Sequence, residues 1–251
     1  MQVRGTGDPT VVFESGEGDD SSVWSKIEAD VRLPNGVRTV VYDRAGLGRS
    51  APSSGPYRID DEAAALKRAL DRFGIKGPIV LVAHSYGGFV ATLVAASDKR
   101  VAGMVLVDAY VKEQFDDAAA SRLLASYTPQ LDALERTKPG IAQVMRPLIR
   151  AFPDTARRMR SVSYPAALPT IDIVAEHAAN SAEDNAAMLR AHSAFASASP
   201  VREQVVAPDS GHYVMRDRPD LVVDAVSRLV RVARSREPER STATARALPP
   251  Q

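Results

Sequence analysis

No cysteine occurs anywhere in the chain, which excludes disulfides, zinc-thiolate centres and thiol catalysis and leaves hydroxyl, carboxylate or amine groups as the available nucleophiles. An excess of one charge is also missing: 32 Lys and Arg face 31 Asp and Glu, a formal net charge of +1. Nothing in that balance attracts a nucleic acid. Long apolar runs are absent too, since no stretch reaches the ~18 residues of a membrane helix and Met1 to Thr10 holds no apolar segment of signal-peptide length. No metal-ligand cluster is visible. The expectation is a cytoplasmic enzyme for small molecules, with no membrane or nucleic-acid partner, no metal and no cofactor.

What is present fits one large domain of 251 residues, 45% hydrophobic and 25% charged, long enough to bury a full core. Short apolar runs alternate with stretches of helical period, the pattern of a mostly parallel sheet with crossover helices, an α/β fold. The runs predict strands at Thr10 to Phe13, Arg38 to Tyr42, Pro78 to Ala83, Ala102 to Val107, Thr170 to Val174 and Glu203 to Val206. Helices are expected at Ser22 to Ala29, Asp60 to Phe73, Gly87 to Ala96, Glu183 to Ala196 and Pro219 to Arg234. Residues 110–169 interrupt the alternation with about four helical pieces broken at Pro129, Pro139, Pro153 and Pro165. This segment reads as a helical lid inserted into a core made of residues 1–109 and 170–234. Residues 235–251 lack apolar periodicity and read as a disordered tail.

The strand ending in Ala83-His84-Ser85-Tyr86-Gly87-Gly88 leads straight into a helix. A nucleophile on such a sharp turn adopts an unfavourable backbone angle and requires small residues two positions before and after it, which Ala83 and Gly87 supply. The turn lifts Ser85 above the sheet edge and aims the first helical amides, led by that of Tyr86, at an incoming carbonyl oxygen. This segment resembles the G-x-S-x-G nucleophile elbow of the α/β-hydrolase superfamily, with Ala83 in place of the first glycine. The resemblance covers Thr10 to Ala109 and Thr170 to Arg234 and implies an α/β-hydrolase fold with a Ser, acid, His order along the chain.

A serine nucleophile needs a base, and histidine has the suitable pKa. His84 adjoins Ser85 on a strand and points away from it. His192 lies within a helix as a structural or surface residue, and His177 follows a strand end where it could line the site. His212 lies in Asp209-Ser210-Gly211-His212-Tyr213, between the last strand and the last helix, where the superfamily carries its catalytic histidine. Most relatives carry the acid after the strand at Thr170 to Val174, which points to Glu176. A minority carry it after the preceding strand, which points to Asp108. Asp108 is preferred, with Glu176 as the alternative and Glu113 behind both.

The segment Glu14-Ser15-Gly16-Glu17 resembles a bacterial branch that uses Glu-Ser-Gly where other members have His-Gly. The resemblance makes the Glu17 amide the second oxyanion donor, and the Glu17 side chain is expected to point to solvent. Tyr42-Asp43-Arg44-Ala45-Gly46-Leu47-Gly48-Arg49-Ser50 resembles the D-x-x-G-x-G-x-S loop of the superfamily and is read as structural, because the lysine of a phosphate-binding loop is absent. The implied activity is hydrolysis of a carboxylic ester or lactone through an acyl-enzyme. The same groups would also serve acyl transfer, lyase or perhydrolase chemistry, or a pseudoenzyme that only holds a ligand.

Overall fold

The computed structural model describes residues 1–178 and 181–236. Seven strands form one sheet: β1 (Gln2–Arg4), β2 (Thr10–Glu14), β3 (Arg38–Val41), β4 (Ile79–His84), β5 (Val101–Val107), β6 (Thr170–Ala175) and β7 (Arg202–Ala207). Their order across the sheet is β1-β3-β2-β4-β5-β6-β7. Only β1 runs antiparallel to its neighbour. The nine α-helices of the described residues are α1 (Ser25–Asn35), α2 (Ile59–Arg72), α3 (Gly87–Ser97), α4 (Asp117–Thr137), α5 (Pro139–Arg150), α6 (Phe152–Arg160), α7 (Ala182–Ser197), α8 (Val214–Asp217) and α9 (Pro219–Ser235).

The apolar runs are explained by burial on both faces of the sheet. Along β4, Ile79, Leu81 and Ala83 join the apolar cluster that contains α2, α3 and residues of α4 to α6. Val80 and Val82 join the opposite cluster with Trp24, α1 and α9. Parallel pairing sends the ends of β2, β4, β5, β6 and β7 to one edge of the sheet, and ligands of such folds bind beyond that edge.

Four local expectations need correction. The three-residue β1 was not foreseen, being too short and polar to show a period; its pairing with β3 makes it a strand. The segment from Ser22 begins as a 3-10 turn over Ser21–Trp24, capped by Asp20, before α1 starts. Between β5 and β6 stand three α-helices where about four pieces were expected. Pro139 and Pro153 lie in the first turns of α5 and α6, where a missing N–H costs nothing. Pro129 lies inside α4 without ending it, because α5 and α6 pack along that helix and hold its two halves in line. Ser235 closes α9 and does not start a tail; residues 237–251, the rest of the expected tail, lie outside the described residues. No helix among the described residues is long and apolar enough to cross a membrane.

Candidate active site

Ser85 follows β4 and takes φ 53, a left-handed value that a residue with a side chain adopts at a cost of order 1 to 3 kcal/mol. The turn is held by close packing. A methyl group on Gly87 would come 2.6 Å from the Ser15 carbonyl oxygen and 2.7 Å from Glu14 Cγ, and one on Gly88 would come 2.8 Å from both Ala109 Cβ and the Tyr110 oxygen. The two glycines therefore let the elbow fit between the loops that follow β2 and β5.

Three strand-end loops bring their side chains to Ser85. His212 Nε2 lies 3.0 Å from Ser85 Oγ, and His212 Nδ1 lies 2.5 Å from Asp108 Oδ2. Asp108, just past β5 with φ 43, also accepts the Ala175 N–H through Oδ1 at 2.9 Å. Its carboxylate is thus aimed by a backbone bond from β6, and it is the acid that meets the imidazole. Glu176 instead accepts the Asp209 N–H at 2.8 Å, where Asp209 has φ 54, so it braces the turn that carries His212. Glu113 sits in a 3-10 turn and makes no contact with His212.

The other histidines separate clearly. His177 is exposed beside Glu176, 3.5 Å away, and does not line the site. His192 is buried against Asp172, 2.8 Å from Nδ1 to Oδ2, a structural pair that joins α7 to β6. His84 is also buried, and its Nε2 donates to the His212 carbonyl oxygen at 3.0 Å. Burial, with the neighbouring His212, pushes the His84 pKa down to about 3. Burial also pulls the His212 imidazole down, but the Asp108 carboxylate, with Glu17 and Asp19 behind it, overrides that effect, so the net shift is upward. The charged form is favoured by the acids around it.

The Glu17 side chain does not point to solvent, as expected from the sequence, but turns onto the nucleophile. Its Oε2 lies 3.0 Å from Ser85 Oγ, and its Oε1 accepts the Tyr127 hydroxyl of α4. Two hydroxyl donors replace the water that the carboxylate gives up. Tyr127 lies 110 positions from Glu17 in the chain, and no sequence pattern announced it.

Arg44 was also missed. From the D-x-x-G-x-G-x-S loop it reaches back to Glu14 Oε1 and the Ser15 carbonyl oxygen, both at 2.7 Å, and to the Gly16 oxygen at 2.5 Å. A trans peptide points N–H and C=O to opposite sides, so holding the Gly16 oxygen on Arg44 turns the Glu17 N–H the other way. A methyl group on Gly16 would lie 3.1 Å from Ser85 Cβ, so that peptide adjoins the nucleophile. Asp43 fixes the same loop by accepting the Ser21 N–H at 2.8 Å and the Arg49 N–H at 3.1 Å. The partners of Arg44 lie 28 to 30 positions away in the chain, so no local pattern announced them.

The arrangement offers a hydroxyl nucleophile, an imidazole within reach of its proton, a carboxylate behind the imidazole and the amides of Tyr86 and Glu17 near the reacting centre. No group of three or more His, Asp or Glu able to hold a metal ion occurs among the described residues.

Comparison with known proteins identifies the family. The chain is 37% identical over 106 residues to the uncharacterized protein YqjL of Bacillus subtilis, 42% of this chain and 41% of that protein. It is 36% identical over 104 residues to lipase LipV of Mycobacterium tuberculosis, 41% of this chain and 38% of that one. The matched segments thus span about two fifths of these relatives' lengths. Among solved structures, a carboxylesterase of Nitrososphaera gargenis superposes with a TM-score of 0.69 at 17% identity, covering 93% of this chain and 94% of that one. An esterase of Thermogutta terrifontis gives 0.62 at 23% identity, covering 92% of each chain. An enol-lactonase of Burkholderia xenovorans gives 0.60 at 19% identity, covering 92% and 95%. Residues 11–225 match the profile of the alpha/beta hydrolase family, and the chain belongs to that family.

Proposed function

We propose that the protein is a serine hydrolase that cleaves a carboxylic ester or lactone through an acyl-enzyme. The observation that carries this reading is the unbroken chain from Ser85 Oγ to His212 Nε2 at 3.0 Å and from His212 Nδ1 to Asp108 Oδ2 at 2.5 Å. His212 takes the Ser85 proton as Oγ attacks the carbonyl carbon, and Asp108 holds the imidazole in the tautomer that leaves Nε2 free to accept. The Tyr86 and Glu17 amides receive the oxyanion, an effect worth about 3 to 4 kcal/mol for one donor. The imidazolium returns its proton to the leaving oxygen. Water, deprotonated by His212, then attacks the acyl carbon and releases Ser85.

The esterase and lactonase names among the structural neighbours support the substrate class. The helices α4 to α6 act as a lid over the sheet edge: Met145 Sδ lies against Gly18 and Val144 against Gly46, so α5 packs on the loops beside the nucleophile. A cavity of about 290 Å³ runs between these layers, bordered by Gly18, Arg44, Tyr57 and Met145 and not by Ser85 or His212.

The test is covalent labelling by a fluorophosphonate together with hydrolysis of para-nitrophenyl butanoate. Wild type is expected to label and turn over, and folded Ser85→Ala to do neither. Equal labelling of both would remove Ser85 as the nucleophile.

A further inference from the structure

Ser85 Oγ has one proton and two acceptors at equal distance, His212 Nε2 and Glu17 Oε2, each 3.0 Å away. Attack requires that proton to pass to His212. A carboxylate at Glu17 also faces the position where negative charge develops, which opposes the oxyanion that the neighbouring amides favour. Among the described residues Glu17 forms no ion pair that would cancel this. Arg44 is turned onto Glu14 and the Ser15 and Gly16 oxygens, and Arg216 lies over the Tyr213 ring, 4.2 Å from its centroid.

The groups around the nucleophile share one hydrogen-bonding character. His84 is buried and its Nε2 faces the His212 carbonyl oxygen, so Nε2 carries the hydrogen and Nδ1 presents a lone pair. That Nδ1 has no hydrogen-bond partner. A methyl group on Gly16 would meet His84 Nδ1 at 2.9 Å, Ser85 Cβ at 3.1 Å and Asp19 Oδ2 at 3.4 Å, so these atoms converge beside the nucleophile. Tyr213 reaches Asp19 with its hydroxyl at 3.4 Å, and Tyr127 reaches Glu17. His84 Nδ1 is itself buried, so what the site presents is the pair of carboxylates at Glu17 and Asp19, each also bound by a tyrosine hydroxyl. What complements two carboxylates is a group with several N–H donors and a positive charge.

We infer that Glu17 is a specificity-determining residue that selects an ester whose acyl chain carries an ammonium group on the carbon α or β to the carbonyl. This deepens the serine-hydrolase reading and rests on it. Glu17 Oε2 is one hydrogen bond from Ser85 Oγ, the atom that bonds to the acyl carbon, so a donor bound to Glu17 lies close to that centre, within reach of an α or β carbon of the acyl chain. The substrate ammonium takes over the Glu17 carboxylate and leaves the Ser85 proton to His212. It also neutralises the charge that would oppose the oxyanion. A neutral ester leaves both obstacles in place.

The experiment compares para-nitrophenyl β-alaninate with para-nitrophenyl butanoate, which have acyl chains of equal length, at neutral pH, each corrected for its uncatalysed rate. Wild type is expected to favour the ammonium ester in kcat/KM by about ten- to hundredfold, the size of a hydrogen bond to a charged group. In Glu17→Gln the preference is expected to collapse toward unity, with kcat/KM for the butanoate rising. Calorimetry on Ser85→Ala, with and without Glu17→Gln, then measures binding of β-alaninamide against butanamide independently of turnover. Ser85-dependent butanoate hydrolysis without a Glu17-dependent ammonium preference overturns the inference and leaves the hydrolase standing. Glu17-dependent binding of β-alaninamide by a protein that hydrolyses neither ester overturns the hydrolase and leaves the ammonium site standing.

Discussion

Ser85, Asp108 and Asp209 all have positive φ, at 53, 43 and 54, and all lie in loops at the C-terminal edge of the sheet. No residue of the inserted segment 110–169 does. The edge loops are also stitched to one another through the backbone: the Tyr110 N–H donates to the Ser85 oxygen at 2.8 Å, Asp108 to Ile173 at 2.7 Å and His177 to Ser210 at 3.0 Å. Beyond Tyr110 that segment meets the site through side chains, with Tyr127 on Glu17 and Met145 and Val144 against loop glycines. Backbone strain is tolerated only where the surroundings over-determine it, so the edge is where rigid positioning is concentrated. The insertion can change its side chains without disturbing that frame. On this comparison the edge loops fix position through the backbone, and the helices α4 to α6 tune them through side chains.

The sharpest way to break this division is at the edge. Asp108→Asn should keep the fold but favour the wrong imidazole tautomer, lowering kcat by ~10⁴ as in the best-studied triad. Glu176→Gln removes only a brace on the Asp209 amide and should cost no more than about tenfold, one lost hydrogen bond. Both are read as kcat on para-nitrophenyl butanoate, with circular dichroism to check folding. The reverse ranking would move the acid to the end of β6.

Packing gives a second contrast, read as Tm. Gly87→Ala drives a methyl group to 2.6 Å from the Ser15 oxygen, which Arg44 holds in place, and 3.0 Å from the Glu14 backbone oxygen, so a loss of about 1 to 3 kcal/mol is expected. At about 2 to 4 °C per kcal/mol for a chain of this size, that is several degrees. Gly140→Ala in α5 meets nothing within 4 Å and should be neutral or stabilising by up to about 1 kcal/mol. Equal melting temperatures for the two variants would mean that the edge is no tighter than the insertion.

The same difference decides what could be read from the sequence. Strands buried on both faces show as apolar runs, and a nucleophile turn demands small residues at fixed offsets, so the elbow at Ser85 and the positions of β2 to β7 along the chain were legible. Asp108 was legible as a carboxylate ending a strand, although the choice over Glu176 depended on neighbouring loops. Glu17 turned inward because Ser85 and Tyr127 both donate to it, and Arg44 paired with carbonyl oxygens of a distant loop. Such contacts join residues far apart in the chain and follow no local period. Pro129 misled for the opposite reason: its local signal is strong, and tertiary packing overrode it.

Acid titration sharpens the comparison further. His212 must be neutral to accept the Ser85 proton, and its folded pKa lies above 6.5. The kcat/KM profile should therefore fall as pH drops through a value above 6.5. Because Glu17 is one of the anions that raise it, Glu17→Gln should shift that limb to lower pH, measured on the neutral ester. The raised pKa also stabilises the fold: the contribution is complete below 6.5 and is lost as pH rises through the folded value. A limb that does not move would mean the carboxylate is screened from the imidazole.

The smallest effect is expected at the insertion's own contact. Tyr127→Phe removes one hydroxyl from Glu17 Oε1, together with its hydrogen bond to the Tyr110 side chain, and leaves the ring and the helix in place. Glu17 keeps its bond to Ser85 Oγ but loses the brace that fixes its second oxygen, so the carboxylate is less well positioned to receive an ammonium group. A single neutral donor of this kind is worth about 0.5 to 1.5 kcal/mol. The expected outcome is a rise in KM for para-nitrophenyl β-alaninate of about two- to tenfold, a smaller change in kcat and an unchanged Tm. The measurement is a full kinetic comparison of both esters beside Asp108→Asn. If Tyr127→Phe lowers kcat as far as Asp108→Asn does, α4 takes part in the bond-breaking step, and the division between a rigid edge and helices that only tune it fails.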